Sequence, residues 1–273
     1  RRGGGGAAMI EIRSCRGHEE MEACVQLQVA TWGYDPTDVI PRKAFLVAQK
    51  IGGQVIGAFD SELGDGPQAL AGYALSWPGV KSGQGGAKPY LHSHMLAVRE
   101  GYRDRGLGAR LKWEQRRDAL SRGVRLIEWT FDPLEIKNAF LNLCKLGAIA
   151  RRYEVDFYGA STSRLQGGLP TDRLVAEWHL ESERVERFHA GAPASRQAIE
   201  ERIVVPAGIS TWKGSDRDRD RALAVQLENR SRFQAAFAQG LAVIGFHRDA
   251  DGNGYFELGD ANQAASGLKP RGN

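Results

Sequence analysis

Apolar and polar residues alternate over residues 10–14, then switch to a spacing of three to four over residues 19–30, where Met21, Cys24 or Val25, and Gln28 or Val29 recur. The first period predicts a short strand and the second a helix. The stretch TWGYDPTDVIP (31–41) breaks the pattern with Gly33, Pro36 and Pro41, and residues 43–50 resume it as a second short helix. Residues 54–59 and 69–77 predict antiparallel strands around the GDGP turn at 64–67, with a loop over 78–87. A further strand is expected at 90–98, then a glycine turn and a helix, then a strand at 126–131. Pro133 and Leu134 open the next predicted helix, which ends at Gly147 in the manner of a left-handed terminus. Beyond it the pattern predicts strands at 148–158 and 173–180, joined by the polar connection STSRLQGGLP (161–170), and a helix at 183–189. A polar stretch follows, then a helix at 218–239 repeating through Leu223, Leu227 and Phe237, and a hairpin at 241–247 and 255–258.

The segment between Leu91 and Arg122 carries the clearest chemistry. An apolar strand runs into RDRGLG (103–108) and then into LGARLKWEQRRDAL, whose apolar repeat through Leu107, Leu111, Trp113 or Glu114, and Leu120 leaves Lys112, Arg116 and Arg117 on the other side. Gly106 and Gly108 allow positive φ and a close approach to backbone N–H groups. The first-turn N–H groups of the helix have no intrahelical partner and carry partial positive charge, so the turn predicts an anion cradle, with Arg103 and Arg105 adding formal charge. Spacing excludes two other phosphate motifs: neither GxxxxGK followed by Ser or Thr, nor GxGxxG, is present here. What remains is RxxGxG on Arg103, Gly106 and Gly108.

Composition narrows the class of protein. The chain has 273 residues, 42% hydrophobic content and a formal charge of +4. It is long enough for a sizeable core and more than one unit, and its charge is small for that length, in local basic patches, where a nucleic-acid binder usually concentrates charge along one face. Cys15, Cys24 and Cys144 show neither CxxC nor finger-like spacing, which predicts free thiols. No apolar run reaches membrane-helix length, and RRGGGGAA (1–8) reads as a flexible leader or expression remnant; a cytoplasmic location is expected.

The segment LAVREGYRDRGLGARL (96–111) resembles the coenzyme A signature of the GNAT superfamily of N-acetyltransferases, and NAFLNLCKLGA (138–148) is similar to that family's later helix and closing glycine. The resemblance implies an α/β fold, a mixed sheet whose fourth and fifth strands splay apart, with the acyl-pantetheine arm along the fourth. The expected division is a core over 9–165 and a C-terminal extension over 166–273 of strand, helix and hairpin. Acetyl-CoA is the implied donor. Its implied binding residues are Leu96, Ala97, Val98, Arg103, Asp104, Arg105, Gly106, Leu107, Gly108 and Asn138. The oxyanion donors are main-chain N–H groups around 96–98. The connection carrying Tyr34, Asp35 and Asp38 borders the acceptor, although Asp35 beside Pro36 is equally at home in a turn.

Acyl transfer to an amine needs a base, because such an amine is mostly protonated at neutral pH, with a pKa near about 10.4. His92 and His94, two apart on one strand, and Glu128 on the next are the candidates; each also fits an ordinary hydrogen-bonded strand residue. The family's usual acid is a tyrosine four residues before the closing glycine. Here that position is Leu143, which cannot donate a proton; Asn142, Cys144 and Tyr153 are nearby but out of register. No third ligand follows His92 and His94 at informative spacing, so no metal is expected. DADGNGYFELGD (249–260) matches half of a calcium loop, but the flanking strand pattern favours a hairpin turn. The sequence therefore predicts an acyl-CoA-dependent N-acyltransferase acting on a small-molecule or protein amine, with no nucleic acid or membrane partner and with homodimerisation left open. The alternative is a non-catalytic acyl-CoA-binding module.

Overall fold

A computed structural model of the chain describes residues 10–82, 86–192 and 197–265, which divide after Val124 into two compact units. The expected leader at 1–8 lies outside the described residues. No helix among the described residues is long and apolar enough to cross a membrane.

The first unit contains β1 (Ile10–Ser14), α1 (Gly17–Trp32), α2 (Arg42–Lys50), β2 (Gln54–Asp60), β3 (Leu70–Lys81), β4 (Lys88–Val98) and α3 (Leu107–Ser121). Its strands pair antiparallel in chain order, β1 with β2, β2 with β3 and β3 with β4. One apolar cluster joins Met21, Cys24 and Leu27 of α1 and Phe45 and Ala48 of α2 to Tyr73, Leu75, Met95 and Ala97 of the sheet. A second places Leu107 and Leu111 of α3 against Ile56, Ala58 and Ala74. All seven residues of β2 are buried, as expected of a central strand covered on both faces. Burial of leucine side chains such as Leu107 and Leu111 contributes about 1.5–3 kcal/mol each.

Two sequence expectations change here. The β3–β4 hairpin runs on through Val80 opposite Pro89 and Lys81 opposite Lys88, where Pro78 and Gly79 had suggested a loop. Gly79 is compatible with the strand because Tyr90 lies across it; a Cβ there would come within 2.5 Å of the ring. The inner stripe of α3 is Leu107, Leu111, Lys112, Gln115, Arg116 and Ala119. Lys112 and Arg116 therefore do not sit on the solvent face. Lys112 is 2% exposed, its ammonium hydrogen-bonded within the interface.

The second unit contains β5 (Leu126–Phe131), α4 (Ile136–Phe140) continuing as one π-helical turn (Leu141–Lys145), β6 (Ile149–Glu154), β7 (Arg173–His179), α5 (Glu183–His189), β8 (Glu201–Val205), α6 (Ile209–Lys213), α7 (Arg219–Ala238), β9 (Leu241–Arg248), β10 (Gly254–Asp260) and α8 (Ala261–Ala265). Its strands lie in the order β5-β7-β6-β9-β10-β8, with β7 inserted between β5 and β6. The helix expected from Pro133 begins at Ile136, because the Asp132 carboxylate accepts from Leu134 N–H and its carbonyl from Glu135 N–H, forming a turn. β8 and α6 occupy what read as a polar stretch; ERIVV pairs with β10 through Val205 opposite Gly254 and Ile203 opposite Phe256. Phe233 of α7 packs edge-on against Phe256, with ring centroids 5.2 Å apart. The DRDRDR run is largely solvated, as expected of a helix start, and Arg221 stacks over Trp212 at 3.7 Å.

Candidate functional site

The turn after β4 opens into the start of α3. Asp104 and Gly106 adopt positive φ, 59° and 77°. Gly106 occupies the N-cap position, where no side chain caps the helix. The first bond into the helix is Arg110 N–H to the Gly106 carbonyl, so the N–H groups of Leu107, Gly108 and Ala109 precede the intrahelical ladder. Residues 103–106 are exposed, and Leu107 anchors the helix in the core. Tyr102 braces the turn by donating to Asp60 at 2.6 Å, and the Arg105 guanidinium lies 5.7 Å from the Tyr102 ring centre. Arg103 Nε donates to the Val98 carbonyl at 3.2 Å. The combination of uncapped N–H groups, helix dipole and two arginines is suited to a multiply charged anion.

Immediately upstream, β4 is irregular. Ser76 pairs with Ser93 and Leu75 with Met95, so His94 is an extra residue in the ladder, a β-bulge. Leu96, Ala97 and Val98 resume register opposite Ala74, Tyr73 and Gly72. Leu96 and Val98 pack towards α3, and Met95 and Ala97 towards α1 and α2. His94 stacks on Trp77 with centroids 4.6 Å apart, and His92 lies 6.1 Å from His94. The two histidines thus come together as their spacing predicts; Trp77 has no chemical signature in the sequence and was not foreseen.

Burial, with a smaller contribution from His92, lowers the His94 pKa from its ordinary value to about 4. His94 is therefore neutral at neutral pH, able to accept a hydrogen bond but a weak proton acceptor. The expected result is an NMR titration in which the His94 imidazole remains neutral down to about pH 4. Because the folded value lies below the unfolded one, this burial-linked stability is complete above about pH 6.5 and falls as pH drops towards the folded midpoint. A midpoint near the ordinary histidine value would contradict the geometry.

The acceptor-side candidates lie in the connection from α1 to α2. Gln28 is buried and clamps its far end, donating to the Ile40 carbonyl at 3.0 Å and accepting from Ile40 N–H at 2.9 Å. Tyr34 stacks on Trp32 at 5.8 Å and packs against the α1–α2 apolar cluster. Asp35 is exposed and its carbonyl accepts from Asp38 N–H at 2.9 Å, a turn consistent with the sequence.

Glu128 and Asn138 belong to the second unit. Asn138 is exposed on α4. Glu128 is buried on β5 directly opposite Glu177 of β7. Arg152 donates to Glu128 at 2.7 Å and lies 3.6 Å from Glu177; Arg151 also pairs with Glu177. A register shift between Ala150 and Tyr153 lets both consecutive arginines serve this group. Glu177 carries the desolvation penalty of burial, but His179, 3.5 Å away, and the hydrogen bond from Arg151 outweigh it and hold its pKa at about 2. The compensating arginines are visible in the sequence only as a charged doublet.

Leu143 is 1% exposed, in the core of the second unit. The nearby proton-bearing groups are engaged in structure. The Cys144 thiol donates to the Phe246 carbonyl at 2.8 Å and burial pushes its pKa up to about 11, while Tyr153 donates to Asp172 at 2.7 Å. Asn142 is buried in the π-helical turn. In the 249–260 segment, Asp249 accepts from the N–H groups of Asp251 and Asn253, from the Asn253 amide and from Tyr255. Its carboxylate organises a hairpin turn between β9 and β10. Among the described residues no group of three or more His, Cys, Asp or Glu side chains is placed to hold a metal ion.

No protein-family model matches the chain, and no curated protein matches it. Solved structures similar to it include Arabidopsis thaliana NAA60 in complex with acetyl-CoA, with a TM-score of 0.48 and 16% identity over 63% of this chain and 99% of that one. The ribosomal-protein-S18-alanine N-acetyltransferase from Escherichia coli gives 0.45 and 14% over 71% and 99%. A putative acetyltransferase of the GNAT family from Desulfovibrio desulfuricans gives 0.47 and 16% over 63% and 99%.

Proposed function

We propose that the chain is an acyl-CoA-dependent N-acyltransferase, with acetyl-CoA as donor and direct attack by an amine in a ternary complex. The observation that carries this reading is the uncapped, glycine-opened start of α3 following a bulged β4. Arg103, Asp104, Arg105, Gly106, Leu107 and Gly108 hold the pyrophosphate, which meets backbone N–H groups and guanidinium charge. Leu96, Ala97 and Val98 supply main-chain groups for the pantetheine arm and the developing oxyanion. Tyr34, Asp35 and Asp38 receive the amine, the carboxylates favouring its cationic form on arrival.

The amine must lose protons as it attacks. The ammonium first gives up one proton to water; as the free amine attacks, its nitrogen donates a hydrogen bond to His94, neutral at working pH, and His92 beside it takes the second proton and releases it to solvent. Glu128, the other candidate base, is committed to its ion pair with Arg152. No tyrosine protonates the leaving sulfur. A thiolate is a far better leaving group than an amide nitrogen and departs without a dedicated acid, and solvent then protonates it.

The buried Leu143 favours a second reading, an acyl-CoA-binding module without efficient transfer. Thiol release from acetyl-CoA, followed across amino-terminal peptides, lysine-like amines and small polyamines, separates the two. Amine-dependent release is expected. Coenzyme binding without turnover for any class of acceptor supports the binding module, and no coenzyme binding removes both readings.

A further inference from the structure

A buried polar clasp joins α3 to β4 at the residue before the bulge. Lys112 Nζ donates to Ser93 Oγ at 2.9 Å, and Ser93 Oγ donates to Gln115 Oε1 at 3.0 Å. All three residues are at most 5% exposed. Alongside, Gln54 donates to the Gln115 carbonyl at 2.9 Å and to Asp118 at 2.7 Å, and accepts from Ser76, the partner of Ser93 across the ladder. Both strands are therefore tied to α3 at the point where their register slips.

Such a clasp is an expensive way to join a helix to a sheet. Burial pulls the Lys112 ammonium well below its ordinary pKa, and Gln115 Nε2 has no hydrogen-bond partner within the structure. Apolar side chains would join these elements without that desolvation. What they would not do is choose a register. A bulge is one residue from a regular ladder, and a one-residue slip exchanges the faces of every side chain beyond it. Fixing Ser93 towards α3 places the extra residue, His94, on the opposite side against Trp77.

We propose that Lys112 is a positioning residue, which with Gln115 holds Ser93 under α3 and so sets the β4 bulge that presents His94 to the acceptor side. Its relevance to acyl transfer rests on the function proposed above; its effect on the bulge does not. Lys112 lies five residues beyond Leu107, about 7.5 Å along the helix, so one helix carries both the anion turn and the clasp.

The test uses the full chain with Lys112→Met, Ser93→Ala and Lys112→Gln. The readouts are the His94 imidazole titration and the amide resonances of residues 93–95, with acetyl-CoA affinity measured in parallel by calorimetry. Lys112→Met and Ser93→Ala are expected to move the His94 midpoint upward towards the ordinary histidine value near about 6.5 and to displace the three amide resonances. Lys112→Gln, which keeps a donor, is expected to restore both in part, and coenzyme affinity is expected to change less than about twofold, since the anion turn is untouched. Unchanged His94 and amide signals in folded Lys112→Met and Ser93→Ala proteins would overturn the proposal. Loss of folding in both would do so as well, because the clasp would then be a stability element alone. Failure of the wild-type chain to bind acetyl-CoA would remove the proposed function and leave the positioning result standing.

Discussion

Gly108→Trp is expected to lower acetyl-CoA affinity by at least about 100-fold, equivalent to about 2.7 kcal/mol, while the protein remains folded. Gly108 is the second residue of α3, in the turn whose N–H groups precede the intrahelical ladder. An indole there stands over the groups that would meet the pyrophosphate. Hydrogen bonds to a charged ligand are worth about 1.5–3 kcal/mol each, so masking two of them suffices for the stated loss. The helix itself is not weakened, since tryptophan is a better helix former than glycine. Gly106 is a less clean probe. Its φ of 77° strains any L-residue even though a Cβ there meets nothing within 4 Å. Calorimetric titration with acetyl-CoA, beside a thermal melt of each variant, measures the two effects separately. Wild-type affinity in a folded Gly108→Trp protein would remove the cradle assignment.

Asp172→Ala is expected to destabilise the second unit by about 3–5 kcal/mol, the range for breaking a buried ion pair from one side. Asp172 is fully buried and accepts both Arg230 contacts, at 2.8 and 3.0 Å, together with the Tyr153 hydroxyl and Asp156 N–H. Asp156 in turn accepts from Thr171 N–H and its hydroxyl, closing the long β6–β7 connection on itself. Removing the carboxylate strands a guanidinium, a phenol and a backbone donor together. The double variant Asp172→Ala, Arg230→Met is expected to recover part of the loss, because the unpaired charge is gone. Denaturant unfolding of the three proteins measures this; a single-variant loss below about 1 kcal/mol would place the pair among weak surface contacts.

The glycine turn before α3 was legible because its backbone geometry is written in local spacing. Glycines at fixed offsets, between a strand period and a helix period, carry their own geometry, and the positive φ at Gly106 follows from them. Likewise the close approach of His92 and His94 follows from alternation along one strand. The buried face of α3 was not legible. Hydrophobic periodicity assigns lysine and arginine to solvent, whereas Lys112 is sheltered by hydrogen bonding to Ser93, a partner nineteen residues earlier. The same limit applies to Glu128, whose partner Arg152 is brought to it by β7 lying between their strands. β8 escaped detection because ERIVV is short and its pairing with β10 is non-local. Long-range pairing of polar groups, unlike a turn, leaves no period in the sequence.

On the proposed function, the start of α3 receives the coenzyme pyrophosphate. The most direct measurement is amide NMR of the isotope-labelled chain titrated with coenzyme A and, separately, with pantetheine, which lacks the pyrophosphate. Coenzyme A is expected to shift the amide resonances of residues 103–109, and pantetheine to leave them in place. Binding of coenzyme A with those resonances unmoved, or equal shifts from pantetheine, would contradict that assignment.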